Sequence, residues 1–146
     1  HGKPKPLPAG AVTHDWTAFL GPQHNGHSTE TKLLKSWPKN GPKLLWEMKK
    51  GTGYSSPAIA GDYLVYMHRE GDQEKVECLH PETGAKYWEF TYATDFQDRY
   101  GYNNGPRSSP VIEGDRVYTY GAQGRLFGRA VVFDATGQAG DAEAAA

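Results

Sequence analysis

Residues Ser55 to Met67, SSPAIAGDYLVYM, return as Ser108 to Tyr120, SSPVIEGDRVYTY, fifty-three positions along the chain, with Ser-Ser-Pro, an isoleucine and Gly-Asp in common. The same offset carries Thr83-Gly84 onto Thr136-Gly137. Self-similarity at a fixed period marks an architecture of stacked supersecondary units, each of which buries its apolar face against the next. The fold must therefore set two copies of one unit side by side.

Each copy reads as strand, turn, strand. β-Branched and aromatic residues flank Gly61-Asp62 in the first and Gly114-Asp115 in the second, and a two-residue link with glycine first suits a type II′ hairpin. In the first copy Glu74 to His80 (EKVECLH) continues as a third strand. Pro81 to Gly84 (PETG) follows as a turn in which Gly84 is free to take positive φ, and Ala85 to Tyr92 (AKYWEFTY) is a fourth strand. Leu44 to Lys50 (LLWEMKK) resembles that fourth strand and reads as an earlier copy of it. No segment combines helical periodicity with caps, so the expected class is all-β, with four short antiparallel strands per unit.

The chain has 146 residues and a formal net charge of -1, with no long Lys/Arg block, so it offers no electrostatic footprint for nucleic acid or an anionic membrane surface. No apolar run approaches the roughly 18 residues of a membrane span. A single cysteine, Cys78, excludes an intrachain disulfide and a cysteine-based zinc cluster; in VECLH it reads as a small buried hydrophobe. Residues 1–14, rich in proline, read as an extended linker. His24-Asn25-Gly26-His27 has a spacing seen in metal sites, but Asn-Gly signals a turn and no third ligand is near in sequence. His14, His68 and His80 read as surface or strand-end residues, and the charged run Arg69 to Glu74 as a solvated hairpin tip.

A repeated four-stranded unit of this length is the pattern of a β-propeller blade. The blocks PKLLWEMKKGTGYSSPAIAGDYLVY and VECLHPETGAKYWEF resemble the PQQ-like, tryptophan-docking propeller repeats, and DWTAFLGPQHNG resembles the leader that precedes their first blade. The resemblance covers about Asp15 to Leu126. It divides the chain into a linker (1–14), a leader (15–43), partial propeller repeats of about two blades (44–137) and an Ala-rich divergent tail (138–146), in a ring that is not closed. It implies an extracytoplasmic location, periplasmic or secreted, and structural roles for Trp46 and Trp88, which dock against neighbouring blades in that family. Gly61, Asp62, Gly84, Gly114, Asp115 and Gly137 are then the turn residues of the repeat.

Two functions are compatible with the resemblance. One is a non-catalytic binding or scaffold module without a cofactor. The alternative is a fragment of a PQQ-dependent quinoprotein dehydrogenase oxidising alcohols or sugars with PQQ and calcium. The adjacent cysteine pair common in those enzymes and the CxxCH haem-attachment motif are both missing, which favours the first. After Gly124 the expected third and fourth strands give way to RLFGRAVVFDATGQAGDAEAAA, pointing to truncation or a frame change near Leu126. Unpaired strand edges would then leave the isolated chain seeking missing blades or self-associating.

The candidate site comes from two spacings that disagree. Trp46 precedes Ser55 by nine residues and Trp88 precedes Ser108 by twenty, so an insertion, ATDFQDRYGYNNGPR, lies between the fourth strand and the next unit. In a propeller this connection reaches the channel mouth. Long irregular loops on a rigid scaffold are where binding residues concentrate. Tyr100, Tyr102, Asn103, Asn104 and Arg107 are the candidate contacts to a protein partner or a small polar ligand. A plainer reading also stands: Asn103-Asn104-Gly105-Pro106 is good turn chemistry, and Asp95, Asp98, Arg99 and Arg107 are able to pair with one another and clamp the crossover.

Overall fold

A computed structural model of the chain describes residues 5–130. Alternation of apolar and polar residues is strongest from Tyr63 onward, where the longest strands form; in chain order the strands are β1 (Ala58–Ala60), β2 (Tyr63–Glu70), β3 (Gln73–Leu79) and β4 (Lys86–Ala93), then β5 (Val111–Glu113), β6 (Arg116–Tyr120) and β7 (Leu126–Ala130). They make a four-stranded antiparallel sheet in the order β1-β2-β3-β4 and a three-stranded antiparallel sheet in the order β5-β6-β7. Among the described residues there is no helix, so none long and apolar enough to cross a membrane. The chain is all-β.

Gly-Asp turns set the register. Ala60 pairs with Tyr63 and Glu113 with Arg116 across Gly61-Asp62 and Gly114-Asp115, with φ of 51° at Gly61 and 59° at Gly114. A side chain at these glycines would meet the αL penalty, whereas glycine does not. A third copy of the device, Gly71-Asp72, joins β2 to β3. The hairpin tip is confined to those two residues. Contrary to the solvated run expected from Arg69 to Glu74, Arg69 and Glu74 are buried, because strand alternation puts both on the same face as Val65, Met67 and Val76.

That face is the core. Val65, Met67, Val76, Cys78 and Trp88 of the first sheet pack with Ile112 and Val117 of the second, and Phe90 stacks on Phe127 at 4.1 Å between ring centroids. Burial pushes the Cys78 thiol up to about 12, against the reactive range, with the Arg129 charge opposing it only in part. Arg129 on β7 lies over the Trp88 ring at 4.9 Å, so this tryptophan spans the two sheets.

The opposite face of the first sheet is polar and carries a second correction. His68 is buried in mid-strand, not at a surface or strand end. Its Nδ1 accepts from the Gly51 N–H at 3.0 Å, which leaves Nε2 as the protonated nitrogen, directed at Glu77 Oε2 at 2.9 Å. Glu77 also meets Lys86. Residues 44–51 cover this face without forming a strand, although LLWEMKK resembles β4. A strand exists only by its ladder, and among the described residues the nearest backbone pairing is the isolated bridge from Thr52 to Arg69. Trp46 nonetheless docks: its indole N–H donates to the Pro81 carbonyl at 2.8 Å, and its ring lies where a Cβ on Gly84 would come within 2.7 Å.

The second unit also differs from expectation, for Leu126–Ala130 supplies its third strand, pairing with β6 from Tyr120–Leu126 to Arg116–Ala130. Backbone pairing asks little of side-chain identity, so Arg125, Gly128 and Arg129 do not prevent it. Thr136, Gly137 and the Ala-rich tail lie outside the described residues. Residues 15–17 lie along the β1 and β5 edges of the two sheets: Trp16 bridges Ile59 of β1, Thr17 accepts from the Ile112 N–H of β5 at 2.9 Å, and Asp15 accepts from the Gly61 N–H at 2.9 Å.

Candidate functional site

The insertion leaves β4 at Ala93 and returns to the second unit at Pro106, and buried Arg69 holds it to the first sheet. The Arg69 guanidinium donates from Nη1 to the carbonyls of Phe96 (2.6 Å) and Asn104 (3.0 Å) and from Nε to that of Gly71 (2.7 Å). Its ion pair with Asp72 is at the exposed rim. Phe96 and Asn104, each three residues inside one end of the insertion, are thereby tied to one side chain. Glu74, paired with Arg69 across the β2–β3 ladder, does the same for the second sheet: its carboxylate accepts from the Tyr92 hydroxyl and from the Ala122 N–H at 3.1 Å. Burial and the Glu74 carboxylate together hold the Tyr92 hydroxyl in its protonated, donating form.

Within the loop Asp98 is the organising residue, its side chain only 8% exposed. It accepts from the N–H groups of Tyr102 (2.8 Å) and Asn103 (3.2 Å) and pairs with Arg107 at 3.1 Å. Partial burial works against its charge. The N–H donors of Asn103, Tyr102 and Tyr100 and the Arg107 guanidinium outweigh it and hold the carboxyl below the usual range. Asn104 accepts from the Asp98 N–H at 2.7 Å and donates to Gln97 at 2.9 Å; Asn103 accepts from the Gly105 N–H at 2.8 Å. Gly105 is where the loop meets the first unit, and a Cβ there would overlap the Thr52 carbonyl.

Of the five candidate contacts, Asn103, Asn104 and Arg107 are engaged in building the loop, while Tyr100 and Tyr102 are 73% and 79% exposed. Their rings stack on each other with centroids 6.2 Å apart and 30° between planes. They stand on one wall of an open groove of about 650 Å³ whose other walls include Tyr54, Ser108 and Tyr120. Tyr54 precedes β1, Ser108 precedes β5 and Tyr120 ends β6, so the groove lies at one end of both sheets.

The plainer reading named Asp98 and Arg107 as a clamp, and the two do pair; sequence reading missed Arg69 and Phe96 as the groove's supports and Tyr54 and Tyr120 as its further walls. Alternation along β2 was the available signal for Arg69, since it assigns a guanidinium to the Val65 and Met67 face. The remaining positions meet only through tertiary contact. Among the described residues no group of three or more His, Cys, Asp and Glu is placed to hold a metal ion, and His24 sits in its turn with φ of 52°. Neither the protein-family models nor the curated proteins nor the solved structures give a match to this chain.

Proposed function

We propose that the chain is a non-catalytic binding module of the PQQ-like propeller-repeat type, extracytoplasmic by that resemblance, whose ligand surface is the tyrosine groove at the insertion. The observation that carries the binding reading is the division of labour in the loop. Asp98, Asn103, Asn104 and Arg107 are spent on contacts within the loop, yet two adjacent large rings are held out in solvent. Exposing two tyrosines on a loop ordered by Arg69 and Asp98 serves no packing purpose, whereas rigid, exposed aromatic rings supply contact area at low entropic cost when a partner arrives. The propeller-repeat reading is supported by repeat-equivalent Gly-Asp turns in both sheets, by Trp46 docking on the turn of the following sheet, and by residues 15–17 lying along the β1 and β5 edges of the two sheets.

Aromatic-ring NMR signals of Tyr100 and Tyr102, assigned from the single Tyr→Phe variants, test the reading. Adding fractionated extracytoplasmic material from the source organism should shift these signals first, and the Tyr100→Ala/Tyr102→Ala variant should lose that response while melting at the wild-type temperature. Responses confined to the polar face around His68 and Glu77 would place binding elsewhere and overturn it.

A further inference from the structure

The groove's charge and ring chemistry carry the binding reading one step further, to a class of ligand. Arg107 is neutralised by Asp98, but Arg99, exposed and 6.0 Å from the Tyr100 ring centroid, has no ion pair or hydrogen bond among the described residues. A guanidinium whose N–H groups have no protein acceptor is available to a carboxylate, which it matches in bidentate fashion. With Asp98 and Arg107 cancelling, the groove is locally positive on a chain whose net charge is -1. Its apolar surface comes from ring faces, not from an aliphatic pocket. Tyr54 and Tyr120, 56% and 54% exposed, face the same space as Tyr100 and Tyr102 and offer hydroxyls at the ring edges.

Flat rings bordered by hydroxyls and one unpaired guanidinium suit a chain of sugar rings that bear carboxylates. We propose that the groove binds an acidic glycan, with sugar faces stacked on Tyr100 and Tyr102 and a uronate carboxylate on Arg99. This assignment rests on the groove being the binding site. An acidic peptide would satisfy Arg99 equally, but its side chains call for enclosed anchor pockets, and the groove is shallow and open.

Titrations of the full chain with an α-1,4-linked galacturonate hexamer, with maltohexaose as the neutral counterpart and with hexaglutamate, distinguish the cases. The galacturonate should bind about tenfold more tightly than maltohexaose, and the preference should weaken as salt is raised. Arg99→Gln should bring the two sugars within about twofold of each other, because the stacking is kept and the ion pair lost. Tyr100→Ala/Tyr102→Ala should abolish both, with melting unchanged. Equal binding of the two sugars by wild type, tighter binding of hexaglutamate, or no binding of the galacturonate would each overturn the glycan assignment while leaving the groove to its own test. Galacturonate binding that survives the double tyrosine variant would overturn the groove as well.

Discussion

The hydroxyl of Ser55 donates to the carbonyl of Ser108 at 2.6 Å, and the two residues are the same position of the repeat, fifty-three apart. The Ser56 N–H donates to the hydroxyl of Ser109 at 2.9 Å, so the second serines of the two copies are joined as well, the first copy donating both bonds. Ser-Ser-Pro is therefore the seam between units, and its recurrence follows from that use. Ser55 is 6% exposed and the Ser108 carbonyl half-buried, so Ser55→Ala removes a partly buried hydrogen bond and should cost about 1 kcal/mol, read from urea denaturation as a lowered midpoint with an unchanged slope. Wild-type stability would show the seam to be incidental.

Trp88 and Trp46 occupy equivalent sequence positions, but their environments separate them. Trp88 is 5% exposed in the core and Trp46 is half-buried on a turn. Trp88→Ala should cost about 3–5 kcal/mol through lost transfer energy and a cavity, and Trp46→Ala about half as much. Thermal melts of the two variants check the order. Equal losses would mean that the segment around Trp46 is as deeply packed as β4.

Arg69 is predicted to govern the groove from beneath it. Arg69→Ala leaves the carbonyls of Phe96 and Asn104 without their donor and Glu74 without its cross-strand partner, a loss of about 2–3 kcal/mol. Hydrogen exchange at Tyr102 and Asn103 should accelerate more than exchange in β2 and β3. Arg69→Lys keeps the charge and loses the fork, so it should fall between the two. Uniform acceleration across the chain would assign Arg69 to global stability alone.

Acid should release the loop at Asp98. A carboxyl held below its usual value when folded contributes stability that is fully present above the unfolded value of about 3.9 and is lost as pH falls through the lower folded value. The amide signals of Tyr102 and Asn103 should thus be constant from neutral pH to about 4 and move only below it. Asp98→Asn should remove that titration and weaken the Arg107 contact at every pH. A midpoint above the ordinary carboxylate range would contradict the hydrogen-bonded geometry.

Local chemistry was legible from the chain alone. Alternation over Tyr63 to Tyr92 and the Gly-Asp links determined the strands and hairpins to within about a residue, because strand pairing across a two-residue turn leaves no freedom of register. The repeat offset determined that two units exist, and the unequal Trp-to-Ser spacings located the insertion. Leu44 to Lys50 shows the limit of such reading: a strand-like sequence becomes a strand only if a neighbouring backbone offers hydrogen bonds, and no local pattern reports that neighbour. Leu126–Ala130 shows the reverse, since β6 recruits a segment that side-chain pattern passed over. The groove belongs wholly to the tertiary level. Tyr54, Tyr100, Tyr102 and Tyr120 are brought to one place by a seam between serines fifty-three residues apart and by one buried guanidinium. Contacts of that range depend on how the sheets pack, which no single segment encodes.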